Sequence, residues 1–308
     1  MSRALGNDPA AWNAARACLQ TPRDLMRFGV TRFGAAGLHF GHGFPDALAE
    51  ARYLVAHVLH LPPARAAEWL DARLTPAEAE AVLALLRERC DSRRPAAYLT
   101  GEAWLGDFRF RVDERTIVPR SLIAELLEDG ALHPWLDLDS TQHIADVCTG
   151  GGSLAVLFAL AAPQADVDAV DLSPQALEVA ALNVADYGLE DRIQLLQGDL
   201  LAPLDGEYEL IVSNPPYVDA DAMAALPGEY RCEPHMALAS GDDGLDHARA
   251  LIAGARRLLA PHGVLVVEVG HQRPVLEMAL PDLPFTWLEA RDGGTYVFLL
   301  RREELPGA

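Results

Sequence analysis

Across residues 9–95 the apolar positions recur at close to helical spacing: Trp12, Ala15 and Leu19, then Leu25, Phe28 and Phe33. Residues 47–59 and 75–90 repeat the pattern, which predicts a series of helices with one apolar face each. Thr75-Pro76-Ala77-Glu78 reads as a helix start. A hydroxyl caps the first turn, proline stands where no N–H is needed, and glutamate can reach back to the cap. Leu61-Pro62-Pro63 interrupts the series. Between residues 104 and 118 the period drops to two, with Phe108, Phe110 and Val112 set against Arg109, Arg111 and Asp113. This predicts a β-hairpin turning near Asp113-Glu114. Pro119-Arg120-Ser121 leads into a helix from about 122 to 128, and His133-Pro134-Trp135 reads as a connection.

After Thr141 the chain changes character. Short β-type runs at 144–148, 165–170, 193–196, 210–213, 264–269, 285–288 and 296–300 alternate with helical stretches that include 154–162, 174–187 and 246–259. Such alternation predicts an α/β domain with a parallel, doubly wound sheet. The last two runs are separated only by 289–295, too short for a crossover helix, so this pair is expected to be antiparallel. A chain of 308 residues suits one large domain and a smaller one. The expected division is a helical domain over 1–100, a linking hairpin over 101–118 and a catalytic domain over 119–308.

Composition and charge change the picture further. All 25 basic residues are Arg. Without Lys the chain has neither a P-loop nor a Schiff-base nucleophile. The four cysteines, Cys18, Cys90, Cys148 and Cys232, lie far apart, so neither a disulfide framework nor a metal site is expected. With no secretory leader and no apolar run of membrane-spanning length, a cytoplasmic protein without a membrane partner is expected. The net charge of -20 is unevenly placed, 16 Arg against 19 acids in residues 1–140 and 9 Arg against 26 acids in 141–308. Phosphate neutralisation dominates nucleic-acid binding, so the C-terminal half is a poor surface for free nucleic acid and a good one for a basic protein.

Two motifs carry chemistry. Asp146-Val147-Cys148-Thr149-Gly150-Gly151-Gly152 follows the first strand of the sheet and opens a helix. Its glycines let a ligand approach the backbone, and the helix start offers free N–H groups. Asp171 ends the second strand, where a carboxylate commonly accepts from ribose hydroxyls. Together they imply an adenosine-bearing cofactor. The glycine spacing also fits a dinucleotide fingerprint, which leaves a nicotinamide enzyme open at this point. Asp199, after the third strand, is placed for the adenine amino group or for a plain turn. Asn214-Pro215-Pro216-Tyr217 follows the strand at 210–213 and favours one reading. Two prolines make the turn rigid and remove two donors, leaving the Asn214 side-chain oxygen and the Pro215 carbonyl as acceptors. An sp² nitrogen is a poor nucleophile because its lone pair is delocalised. Acceptors gripping its N–H groups orient it and stabilise the positive charge that grows on it during methyl transfer. Tyr217 can lie flat against the planar group. His133, His143, His235 and His271 are scattered and read as ordinary residues, and Cys148 as packing.

Residues 146–152, Asp171, Asp199 and 214–217 resemble the class I, Rossmann-like S-adenosylmethionine-dependent methyltransferases. Arg94-Pro95-x-x-Tyr98-Leu99-Thr100-Gly101, Glu233-Pro234-x-x-Ala237-Leu238 and Gly241-x-Asp243-Gly244-Leu245 narrow the resemblance to the HemK-type protein-glutamine methyltransferases. It extends from about residue 12 to 302. Within that family, residues 118–126, Arg23-Asp24-Leu25 and Phe40-Gly41-His42-Gly43 resemble the branch acting on large-subunit ribosomal protein L-three. The resemblance implies a seven-stranded sheet with an antiparallel last strand, behind an N-terminal helical domain that recognises the substrate. It implies S-adenosyl-L-methionine held by Asp146, Cys148, Thr149, Gly150, Gly152, Asp171, Asp199, Leu200 and Asn214. It implies catalysis by Asn214, Pro215, Pro216 and Tyr217 on a glutamine side-chain nitrogen of a basic ribosomal protein. A release factor and the amino group of adenine or guanine are the alternative substrates. Gly151 departs from relatives that often carry Ser or Thr there.

Overall fold

The computed structural model describes residues 8–307. Among the described residues, five α-helices come first: α1 (Pro9–Cys18), α2 (Pro22–Ala36), α3 (Ala47–Val58), α4 (Pro76–Ser92) and the short α5 (Ala96–Thr100). At α4 the expected reciprocal cap forms: Glu78 accepts from the Thr75 N–H at 2.7 Å, and the Thr75 hydroxyl accepts from the Glu78 N–H at 3.3 Å. Thr21 and Asp24 make the same pair at α2, where the shorter acid was not read as a capping signal. The helices bury Leu25, Phe33, Leu54, Leu83 and Leu86 against one another. That apolar stripe supplies most of their stability, since helices of this length are marginal alone in water.

Residues 227–232 belong to this helical unit, a return of the chain absent from the linear division expected at 100 and 118. Its anchors are Glu229, whose carboxylate accepts from the His39 N–H at 3.0 Å and meets Arg93 at 2.8 Å, and Tyr230, whose ring lies 4.2 Å from that of His42.

The second unit comprises 103–226 and 233–307. It opens with a hairpin of β1 (Glu102–Leu105) and β2 (Phe108–Arg111). The turn falls at Gly106-Asp107, not near Asp113-Glu114 as the alternation suggested. Gly106 takes φ +59, the left-handed conformation a tight hairpin turn demands. The alternation continued past the strand because Val112 is still buried beyond its end. At the place expected for the turn, Asp113 instead closes a separate loop, its carbonyl accepting from the Thr116 N–H.

After α6 (Leu122–Glu128) the chain builds the sheet from β3 (His143–Val147), β4 (Asp166–Asp171), β5 (Ile193–Gln197), β6 (Tyr208–Ser213), β7 (Leu259–Glu268), β8 (Thr286–Leu288) and β9 (Val297–Arg301). The strand order is β5-β4-β3-β6-β7-β9-β8. Pairs from β5 through to β7 are parallel, and β9 runs antiparallel to both β7 and β8, as the short 289–295 connection requires. Helices α7 (Ser153–Ala161), α8 (Pro174–Asp186), α9 (Ala220–Ala225), α10 (Asp246–Ala255) and α11 (Arg273–Ala279) connect them. Along β6, Leu210 and Val212 face one core with α7, and Ile211 faces the other with α10. A central strand covered on both faces reads as a continuous apolar run. Strand β7 begins five residues earlier than expected. Its start pairs with β6 only at Leu259, before a register shift, where Gly263 lies so close to the Tyr208 carbonyl that an added Cβ would stand 2.7 Å from it. Among the described residues, no helix is long and apolar enough to cross a membrane.

A buried acid ties β7 to α6. Glu268 accepts from the Ser121 hydroxyl at 2.7 Å and the Leu122 N–H at 2.9 Å, satisfying the first turn of the helix. Burial pushes its carboxyl up from 4.5 to about 7. Between those two values the native protein holds a proton that the unfolded chain has lost, so this group's contribution falls as pH rises and levels off above 7. Glu268→Gln keeps a neutral side chain and removes that dependence. Urea unfolding of both proteins at pH 5 and pH 8 is expected to show the variant gaining on the wild type at pH 8, by on the order of 1–3 kcal/mol. An unchanged difference would mean that Glu268 is ionised throughout.

Candidate active site

The sheet reverses its order of filling between β3 and β6, and in such sheets the cleft at the carboxyl ends of these strands is where ligands bind. Val147 and Ser213 are register partners, and the Ser213 hydroxyl donates to the Val147 carbonyl at 2.6 Å. The residues that follow, Cys148 and Asn214, therefore leave adjacent strands side by side. This juxtaposition brings the glycine turn and the Asn-Pro-Pro-Tyr corner to one place.

A cavity of about 380 Å³ opens there. Of the residues singled out in the sequence, Cys148, Gly150, Asp171, Asp199, Leu200, Asn214 and Pro216 line it. Asp171 is fixed by two backbone donors, Gly150 N–H and Ser173 N–H, each at 2.8 Å. Burial nevertheless raises its carboxyl above the ordinary value. Cys148, Gly150, Gly152 and Leu200 all have positive φ, so the two loops at the cavity run in left-handed turns. Burial also drives the Cys148 thiol far above its usual range, in line with a packing side chain rather than a nucleophile.

Five expected site residues do not line the cavity: Asp146, Thr149, Gly152, Pro215 and Tyr217. The first three build the turn. Asp146 is fully buried, accepting from the Thr149 hydroxyl at 2.6 Å and from the Ala155 N–H at 2.9 Å. Ala155 is in the first turn of α7, whose N-cap is Gly152, a residue with no side chain to cap with. Asp146 therefore supplies the cap from the neighbouring strand. Gly152 faces α8, where a Cβ would stand 3.1 Å from that of Ala180. At Gly151 an added Cβ would make only ordinary contacts, so no packing demand explains glycine there. Pro215 is buried, and the Tyr217 ring lies against Gly270.

Other lining residues come from the Glu233-Pro234-x-x-Ala237-Leu238 stretch, which marked the family but not the cavity, and from His247, which carried no local signal. His235, read as ordinary, lines the cavity with Pro234, Met236 and His247. His247 is held by Ser240, whose hydroxyl is 2.7 Å from its Nδ1, and burial lowers its pKa. The loop carrying His235 is fastened by Glu233. That carboxylate is completely buried and takes both Arg120 nitrogens, at 2.6 and 2.7 Å, together with the Val118 N–H at 2.9 Å. Two motifs 113 residues apart thus form one structure.

The cavity suits an adenosine-bearing sulfonium ligand. Carboxylates at Asp171 and Asp199 offer acceptors, the Gly150 position leaves open space where a side chain would be, and Val170, Leu172 and Leu200 give apolar walls. Seven strands in this order with the last reversed, and a glycine turn facing an Asn-Pro-Pro-Tyr corner across the switch point, define the class I S-adenosylmethionine-dependent methyltransferases. The methyltransferase small domain model matches residues 130–227, and the PrmC N-terminal domain model matches 34–101. Ribosomal protein uL3 glutamine methyltransferases match nearly end to end. The one from Neisseria gonorrhoeae is 56% identical over 297 residues, covering 96% of this chain and 99% of the relative. The one from Bordetella pertussis is 53% identical over 295 residues, covering 95% and 99%. The chain belongs to this family, the ribosomal protein uL3 glutamine methyltransferases of the HemK type.

Proposed function

We propose that this enzyme transfers the methyl group of S-adenosylmethionine to the side-chain amide nitrogen, N5, of a glutamine in ribosomal protein uL3. The observation that carries the reading is the placement of Asn214 and Pro216 on the wall of the cavity that Gly150 and Asp171 also line. Bound S-adenosylmethionine supplies an electrophilic methyl on a sulfonium. Asp171 accepts from the ribose, Asp199 from the adenine amino group, and Gly150 lets the ligand approach the backbone. Asn214 Oδ1 and the Pro215 carbonyl accept from the two amide N–H groups of the glutamine. They direct its lone pair and stabilise the charge that develops on it. The flat ring of Tyr217 restricts the amide plane. The proton leaves to water after transfer, so no general base is needed. The net acidity of residues 141–308 suits a basic ribosomal protein and disfavours free nucleic acid.

The test uses recombinant enzyme, labelled S-adenosylmethionine, and ribosomal proteins, release factors and rRNA from a strain lacking the enzyme. Label on a single glutamine of uL3 is expected. Label confined to a release factor or to RNA would overturn the assignment.

A further inference from the structure

Tyr217 is proposed to bear on the amide plane, yet it does not line the cavity, so something outside the cavity must hold its ring in one orientation. The segments that follow the Asn-Pro-Pro-Tyr corner hold it. Val218 N–H donates to the Leu238 carbonyl at 2.8 Å, and Ser240 N–H donates to the Val218 carbonyl at 3.0 Å, so residues 238–240 pin the chain just beyond the tyrosine. Asp219 accepts from Gln272 Nε2 at 2.9 Å and caps α9 through the Ala222 N–H at 2.8 Å. Two glycines from different elements then close on Tyr217 itself. A Cβ at Gly244 would stand 2.5 Å from the Tyr217 carbonyl oxygen. A Cβ at Gly270, just after β7, would stand 2.7 to 3.1 Å from three atoms of the Tyr217 ring. Real Cβ atoms do not come so close, so the ring occupies the volume that any other residue at 270 would fill. Both glycines also have positive φ, +77 and +52.

We infer that Gly270, with Gly244 behind it, is a positioning residue for the methyl-transfer site: it seats the Tyr217 ring and thereby sets the plane in which the amide is presented. The inference rests on the proposed glutamine methylation and extends it to residues outside the cavity. A methyl group at 270 must push the ring several tenths of an ångström, a displacement that misaligns nucleophile and methyl without touching the cofactor's carboxylate partners.

The test is a double-mutant cycle on the full-length enzyme with unmethylated uL3. Gly270→Ala is expected to lower kcat by roughly 10- to 100-fold, while the dissociation constant for S-adenosylmethionine, measured by calorimetry, stays within about twofold. Gly188→Ala is the matched control: Gly188 has φ +65 and open space around an added Cβ, so it bears the same backbone strain away from the site. Its kcat should stay at the wild-type level even if its thermal midpoint drops. In a Tyr217→Ala background, Gly270→Ala should cause no further loss, because the ring it displaces is gone. Wild-type kcat in Gly270→Ala, losses that multiply in the double variant, or an equal kcat loss in Gly188→Ala would each overturn the inference. A wild-type enzyme that leaves uL3 unmodified would instead overturn the functional reading, and the inference with it.

Discussion

Asn214→Ala is expected to lower kcat/KM for uL3 by about 10²–10³-fold, the effect of losing one preorganised polar group at a centre of developing charge, or about 2.7–4 kcal/mol of barrier. The size follows from the chemistry. The amide nitrogen has almost no lone-pair density to offer until an acceptor polarises its N–H bonds, and Asn214 provides one of only two such acceptors in the rigid turn. Asn214 leaves β6 beside Cys148, and two prolines fix the corner, so the backbone there cannot rearrange to present another acceptor in its place. Because Asn214 also lines the cofactor cavity, the affinity for S-adenosylmethionine should be measured alongside turnover. A loss confined to affinity, with saturated turnover intact, would remove the residue from the chemistry and leave it a cofactor contact.

The second large effect is on stability. Arg120→Ala is expected to cost about 3–5 kcal/mol, because it strands a buried carboxylate. Glu233 has no exposure to solvent and would lose both of its bonds to the guanidinium. For a unit of this size the thermal midpoint should fall by roughly 10 °C. Arg120→Lys should recover only part of the loss, since a single ammonium cannot reproduce the two parallel bonds. Arg65, whose pair with Glu68 is exposed on both sides, gives the contrast. Its removal should leave the midpoint where it is, as mobile ion pairs in water contribute little. Equal midpoints for Arg120→Ala and the wild type would mean that the Glu233 loop is not fastened in solution as described. If the loop is released, His235 and Met236 leave the cavity wall, so weaker S-adenosylmethionine binding should accompany the lost stability.

Much was legible in the chain read by itself, and for a local reason. A period near 3.6 or of two is written in neighbouring residues, so the helices at 47–58 and 76–92 and the alternation of strands and helices after Thr141 could be read directly. The same holds for the cap at Thr75, the glycine turn at 150–152 and the rigid corner at 214–217, each defined by residues adjacent in sequence. A connection too short for a helix likewise implied that β8 and β9 run antiparallel. The hairpin shows where local reading stops. Alternation of Phe108, Phe110 and Val112 persists beyond the strand, and only the left-handed Gly106 marks the true turn.

Tertiary structure alone decided which distant residues meet. No spacing rule links Arg120 to Glu233, Tyr217 to Gly270, or His39 to Glu229, which lie 113, 53 and 190 positions apart. Their partners are set by how the sheet orders its strands and where the loops return. Asp146 makes the same point at short range: one of its carboxylate oxygens accepts from the Ala155 N–H, because a helix beginning at glycine has no side chain of its own to cap that turn. Sequence alone thus determined the elements and the residues able to do chemistry. Packing, through burial and the need to give buried polar groups hydrogen-bond partners, determined which of them face the cavity and which hold the others in place.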